Sequence, residues 1–288
     1  MASGTEKLAN RADRIKARYL AAVNRNDMAE ALQIGVDDLL PVSEELANRD
    51  AQFLNPLGIT LRNLSAISHH LRRQIAQFYF AQRSLHVAVE IEPAGYALHH
   101  GLEDIAGVTA TIATQIAGKG VSRVGPADRD LLVPAAAMIP RSMEIMMQLD
   151  SKAWAAQLRL AATALRKAAW TREPTMVDCE TQAIVWLARI SRDIGERTFA
   201  VEEIRRALLL WIDELGSTSR YWSRELEQTW TVAADVLDSL RKREAAAELR
   251  AAIDQAAARH GRTDLTGLAN ILDVRHRYEA AAIALERG

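Results

Sequence analysis

Apolar side chains recur along this chain every three or four positions, the spacing that places them on one face of an α-helix. The first such stripe contains Leu8, Ala12, Ile15 and Tyr19. One segment, 87–91, alternates as a strand does, but it is too short and isolated to change the class. The pattern therefore predicts an all-α protein. Later stripes run through 98–116, 154–168, 201–215 and 222–240.

Glycine, proline and capping residues locate the ends of the predicted helices. Asp27 followed by Glu30 resembles a capping box, which predicts the start of a second helix. Pro41 is expected to end that helix. After a turn at 55–58, one longer helix is predicted, because five apolar residues share a face. They are Leu61, Leu64, Leu71, Ile75 and Phe78.

The region between Gly216 and Gly261 contains neither glycine nor proline. A single helix there would be about 60 Å long, and typical helix lengths favour two helices that break near 241–244. The helix starts recur irregularly, and the Trp-x-x-Leu-Gly-x-x-Tyr signature of tetratricopeptide repeats is absent. We therefore expect a multi-helix bundle or an irregular helical-hairpin array, solenoid-like in the C-terminal half.

A glycine-rich segment at 118–126 divides the chain in this prediction. It separates an N-terminal helical region, 1–117, from a C-terminal helical region, 127–288. We expect the segment to be an exposed and flexible connector, because it contains three glycines and few apolar residues. One continuous domain is the alternative.

The composition is that of an ordinary globular protein, with 49% hydrophobic and 25% charged residues. The net charge is −1 and neither half is strongly basic, so nucleic-acid binding is not expected. The single cysteine, Cys179, excludes an intramolecular disulfide and a cysteine-based zinc site. Without a signal-like start or an apolar run of roughly 18–20 residues, we expect a cytoplasmic protein without membrane association. The excess of arginine over lysine indicates a bacterial genome of high GC content.

Two histidine–glutamate pairs flank a turn at Pro93. His86 and Glu90 are four positions apart, as are His99 and Glu103, so each pair lies on one face of a predicted helix. If the chain folds back at the turn, two imidazoles and two carboxylates come level with each other. Zinc and iron accept such ligands. The alternative is that these residues form surface pairs, and no cofactor is predicted.

The most apolar stretch of the chain, 131–147, is the candidate surface for binding a protein partner. It includes Leu131 and a cluster of methionines, and methionine-rich surfaces adapt to varied partners. Filling of an irregular core is the alternative. Trp170, next to a predicted turn, is a further candidate anchor. The methionines are Met138, Met143, Met146 and Met147.

Three functions remain open from the sequence. The first is a non-enzymatic helical scaffold or adaptor for a protein partner or for homo-oligomer assembly. It is favoured because catalytic signatures such as G-x-S-x-G are absent. The second is a metal- or small-ligand-binding helical-bundle enzyme that uses the four histidine and glutamate residues. The third is a membrane-active protein that inserts the helix predicted at 96–117.

Overall fold

The described residues are helical throughout, apart from the short turns between helices. A computed structural model of the chain describes residues 4–91, 105, 108, 126–148, 158–159, 162, 165, 168–169, 177–217, 224–260 and 274–287. Within these residues there is no β-strand, which confirms the all-α prediction. Even 87–91 lies in a helix, because an alternation of five residues is weaker than the helical pattern that precedes it.

The chain forms two compact units. The first comprises Met1–Ile145 with Thr163–Ala168, and the second comprises Met146–Ala162 with Ala169–Gly288. The helix that begins at Pro126 thus belongs to the first unit. The predicted connector lies outside the described residues except for its last position, so the division at 118–126 stays a prediction.

The first unit contains the helices α1 Gly4–Asn24, α2 Met28–Ile34, α3 Leu40–Arg49, α4 Leu54–His70, α5 Gln74–Ile91, α6 Pro126–Ala137 and most of α7 Ile139–Gln148, whose last three residues fall in the second unit. Helices α4 and α5 form a hairpin, α6 packs on α5, and α1 packs on α2 and α3. A π-helical segment, Gly35–Leu39, joins α2 to α3, and a 3-10 turn, Ala51–Phe53, precedes α4. Buried residues of α1 to α5 form one apolar core that includes Tyr19, Leu61, Leu64 and Phe80, and Leu131 of α6 packs against it.

The described helices of the second unit are α8 Val177–Asp193, α9 Arg197–Ser217, α10 Arg224–Ser239, α11 Arg243–His260 and α12 Arg275–Arg287. They form helical hairpins, in which α8 pairs with α9 and α10 pairs with α11, while α8 also packs on α10. Helix α12 contacts both α9 and α11.

Among the described helix ends, four are Schellman motifs, and three of these have a residue other than glycine in the left-handed conformation. These are Asn26, Arg72 and Arg241, with φ of 58°, 57° and 65°. After Arg72, for example, the Arg73 N–H donates to the Ser68 carbonyl at 2.8 Å. The break predicted near 241–244 is confirmed. The prediction of one longer helix through Leu71 is wrong, because Arg72 adopts the conformation that usually requires glycine.

The prediction that Pro41 ends a helix is also wrong. Pro41 lies in the first turn of α3, directly after the π-helical segment. There the Leu40 N–H donates to the Gly35 carbonyl, five residues back. The wider π turn keeps the chain helical next to a residue that lacks a backbone donor and crowds the preceding turn. By contrast, the predicted start at Asp27 is confirmed, since its side chain accepts the Glu30 N–H at 3.0 Å.

Gly35 packs where the π segment meets α1 and α4. A Cβ there would overlap the Leu64 side chain and lie 3.4 Å from the Tyr19 ring, whereas one at Gly58 would meet only ordinary contacts of 3.6 and 3.7 Å. We predict that Gly35→Ala lowers the free energy of unfolding by about 1–3 kcal/mol through overpacking. Gly58→Ala is the matched control and should raise it by up to about 1 kcal/mol. Urea denaturation measures both. Stabilisation by both substitutions would contradict the tight contact.

Three fully buried aromatic residues from three helices hold the second unit together. Trp211 of α9, Trp230 of α10 and Tyr278 of α12 have ring centroids 5.0 to 6.2 Å apart. The predicted core position of Trp230 and its stripe neighbour Leu226 is confirmed, with 0% and 2% of their surfaces exposed. Burial raises the pKa of the Tyr278 hydroxyl, which therefore stays protonated in the core.

We predict that Trp230→Ala lowers the free energy of unfolding by about 3–5 kcal/mol, because it leaves a cavity between three helices. Thermal denaturation followed by circular dichroism measures the effect. Ile283→Ala in α12 is the control, since this apolar side chain is 46% exposed and its loss should change stability by less than about 1 kcal/mol. An unchanged melting temperature for Trp230→Ala would show that the cluster does not support the unit.

Candidate functional site

His86, a predicted metal ligand, is half-buried at the end of a chain of hydrogen bonds that links α5, α6 and α7. Its Nε2 is 3.1 Å from the Ser142 Oγ. Ser142 Oγ in turn donates to Gln82 Oε1 at 2.9 Å, and Gln82 Nε2 donates to the Ala135 carbonyl at 2.9 Å. Both Gln82 and Ser142 are fully buried. The chain therefore ties the three helices together at fixed positions.

The direction of these bonds determines what His86 and Ser142 can do. Ser142 has one hydroxyl proton, which faces Gln82 Oε1 or the Met138 carbonyl. We therefore assign the Ser142 oxygen as the acceptor of a hydrogen bond from His86, with the proton of the neutral ring on Nε2. A serine nucleophile needs the opposite arrangement, with the imidazole as acceptor. In this assignment the pair forms a hydrogen bond between α5 and α7.

Two arginines act on the charge of the His86 ring, and burial acts on it more strongly. Burial, followed by the charges of Arg141 and Arg83, lowers the pKa of His86 to about 4. Arg83 is itself paired with Glu44, and Arg141 donates to Glu144 at 2.6 Å. Because the pKa is lowered, the His86 imidazole is neutral in the folded protein near neutral pH.

Low pH should destabilise the first unit through His86. The unfolded ring has a pKa of about 6.5, so between pH 6.5 and 4 the unfolded chain binds more protons than the folded one. The free energy of unfolding then falls as pH falls through this window, by on the order of 2 kcal/mol at pH 4.5. His86→Gln should remove this part of the decline. Urea titrations at several pH values measure it.

The control for this prediction is His276→Gln, at an exposed position in α12. This variant should retain the wild-type decline between pH 7 and 4.5. If His86→Gln shows the same decline as the wild type and the control, then His86 is not the group whose protonation destabilises the fold.

The predicted metal group is described only in part. Glu90 lies on α5, one turn after His86, and is exposed. His99 and Glu103 lie outside the described residues. Within the described part of the chain, no three histidine, cysteine, aspartate or glutamate residues form a group that could hold a metal ion. The four-residue metal site stays a prediction.

The predicted partner-binding stretch lies on α6 and α7. Leu131 and Met138 are half-buried. Met143 and Met146 are fully buried, so these two side chains fill the core and present no surface to a partner. The stretch was predicted as a surface from its apolar character, which core positions share.

Two further predicted partner-binding positions lie outside the described residues, namely the side chain of Met147 and all of Trp170. The segment 96–117, predicted to insert into a membrane, is described only at 105 and 108, and both residues there are buried. Among the helices that the structure describes, none is both long and apolar enough to cross a membrane.

A groove lies between α1, α3 and α4, and no pattern in the sequence predicted it. Its volume is about 240 Å³. Buried side chains, among them Tyr19, Leu39 and Leu46, line it, and Ala9 and Phe53 add half-buried apolar surface. Burial raises the pKa of the Tyr19 hydroxyl, which keeps this group a neutral hydrogen-bond donor. The groove is thus mainly apolar.

The rim of the groove carries two exposed apolar side chains and two opposite charges. Leu20 of α1 is 44% exposed and Ile59 of α4 is 50% exposed. Asp13 and Lys16 lie on α1 along the same rim. In the described part of the chain, no ion pair within 4 Å engages either charge. A signal for this rim exists in the sequence, since Leu20 and Ile59 fall beside the core stripes rather than in them.

The sequence matches no protein-family model and no curated protein significantly.

Proposed function

We propose that this protein is a non-enzymatic helical scaffold or adaptor that binds an amphipathic helix of a protein partner in the groove between α1, α3 and α4. The observation that carries the proposal is the pair of exposed apolar side chains, Leu20 and Ile59, on opposite sides of an apolar groove. Large apolar side chains exposed beside a concave apolar surface are typical of protein-binding sites.

The dimensions of the groove favour a helix as the occupant. Its α1 side runs from Ala9 to Leu20, which is about 16 Å or three helical turns. A partner helix of that length presents apolar residues at i, i+4 and i+7 along one face. The volume of about 240 Å³ is below the roughly 300–1,000 Å³ of typical small-molecule sites. Insertion of two or three partner side chains suits this groove better than a complete small ligand.

The charges on the rim give the partner helix a direction. Asp13 and Lys16 are three positions apart on α1, so they lie about one turn apart on the same side of the groove. A partner with a basic residue near Asp13 and an acidic residue one turn further along is attracted in one orientation and repelled in the other. Such rim charges affect the association rate and the register more than the affinity.

Site-specific photocrosslinking tests the proposal. We predict that a photoreactive phenylalanine analogue at position 59 captures a protein segment with apolar residues at helical spacing. A synthetic peptide of that segment should bind the wild-type protein, and Ile59→Asp should weaken binding at least tenfold, because a carboxylate then replaces an apolar anchor. Fluorescence anisotropy of the labelled peptide measures the change.

The matched control is Ile283→Asp, which places the same charge at an equally exposed apolar position outside the groove. This variant should bind the peptide as the wild type does. Equal affinity for Ile59→Asp and Ile283→Asp would reject the groove as the binding site. If the captured segment belongs to a second copy of this chain, then that copy occupies the groove and the protein is a homo-oligomer. Light scattering would then detect the oligomer.

A further inference from the structure

A larger cavity lies elsewhere in the first unit, between α2, the π segment, α5 and α6. Its volume is about 590 Å³, within the usual range for small-molecule sites. Most of its lining is apolar, including Leu32, Val36, Phe80 and Leu131. It shares no lining residue with the groove of the proposed function. The walls therefore favour a ligand with an apolar body.

One cation faces this cavity. Arg73, in the turn between α4 and α5, lines the wall and is half-buried. Its guanidinium has no ion-pair partner within 4 Å among the described residues. A guanidinium at the edge of an apolar space binds a carboxylate with two parallel hydrogen bonds, and partial burial strengthens that interaction.

The charge of Arg73 acts on the carboxyl group of Asp128, but this carboxyl group is already engaged. It is buried, and its Oδ1 accepts the Ala76 N–H at 3.3 Å, so it caps the beginning of α5. Burial raises the pKa of Asp128, although its backbone hydrogen bonds and the charge of Arg73 oppose the rise. Asp128 Oδ1 thus engages the α5 backbone, and among the described residues Asp128 forms no ion pair within 4 Å with Arg73, so the guanidinium N–H groups of Arg73 remain available to a ligand.

The cavity also limits the number of charges on its ligand. Asp37, in the π segment, is exposed and lines the cavity together with Gln33. A second anionic group on the ligand would be repelled by the Asp37 carboxylate. Gln33 instead offers neutral donors and an acceptor.

We infer that this cavity binds an amphipathic monocarboxylate, whose head group pairs with Arg73 and whose apolar body lies against Leu32, Val36, Phe80 and Leu131. The π segment supports this arrangement, because its wide turn carries both Val36 of the apolar wall and Asp37 of the rim. Segments of π-helix within α-helices occur often at functional sites.

Isothermal titration calorimetry with decanoate tests the inference on the full chain. Decanoate should bind with one site per chain. Arg73→Gln should weaken binding at least tenfold, because a charge-assisted pair contributes more than about 1.4 kcal/mol. Arg72→Gln is the matched control. This neighbouring arginine is exposed and does not line the cavity, so its loss should leave the affinity within twofold of wild type.

Two further probes define the ligand class. Nonanedioate, with a carboxylate at each end, should bind at least tenfold more weakly than decanoate, and decyltrimethylammonium should show no saturable binding. Leu131→Trp should fill the cavity and abolish decanoate binding while the protein keeps its helical circular dichroism. Ile59→Asp, which alters the groove, should bind decanoate as the wild type does. A failure of the cavity inference is therefore distinguishable from a failure of the proposed binding of a partner helix in the groove.

Three results would overturn the inference. The first is the absence of decanoate binding to the wild type. The second is equal affinity for Arg73→Gln and Arg72→Gln, which would mean that Arg73 does not receive the head group. The third is unchanged binding by Leu131→Trp, which would mean that decanoate adheres to another apolar surface.

Discussion

Burial of one apolar face per helix is the interaction on which both units depend. Isolated helices shorter than about 12–15 residues are marginal in water, and α2 has 7 residues while α3 has 10. Longer helices gain most of their stability from packing as well. In the second unit, Trp211, Trp230 and Tyr278 bring three helices to one point. These large rings contribute more contact area than the alanines that fill much of the remaining core.

Buried polar groups then fix how the helices of the first unit align. Apolar packing alone tolerates small shifts along a helix axis, whereas a buried hydrogen bond does not, because breaking it leaves an unsatisfied polar group in the core. Asp128 binds the start of α5, and Gln82 binds the backbone of α6. Ser142 joins α7 to the same network through Gln82 and His86. Together these side chains set the positions of α5, α6 and α7.

The sequence predicts the helices well because the apolar period is a direct consequence of burial on one face. It predicts the break near Arg241 from helix length alone, without indicating which residue turns the chain. It fails at Arg72, because a left-handed arginine has no signature in composition, and at Pro41, because a π turn accommodates the proline. The groove and the cavity require distances between helices, which no linear pattern contains. The sequence indicated His86 only as a metal ligand, which stays a prediction, and it could not indicate the bond to Ser142, because that bond joins residues 56 positions apart.

The π segment contributes lining residues to both the groove and the cavity of the first unit. Leu39 lines the groove, while Val36 and Asp37 line the cavity, and all three lie within Gly35–Leu39. An ordinary α-helix rotates by about 100° per residue, so removing the extra residue of the wide turn would rotate α2 relative to α3 by about that angle. Either Leu39 would leave the groove or Val36 and Asp37 would leave the cavity. Gly35 permits this register, because any Cβ at its position would overlap the Leu64 side chain and crowd the Tyr19 ring.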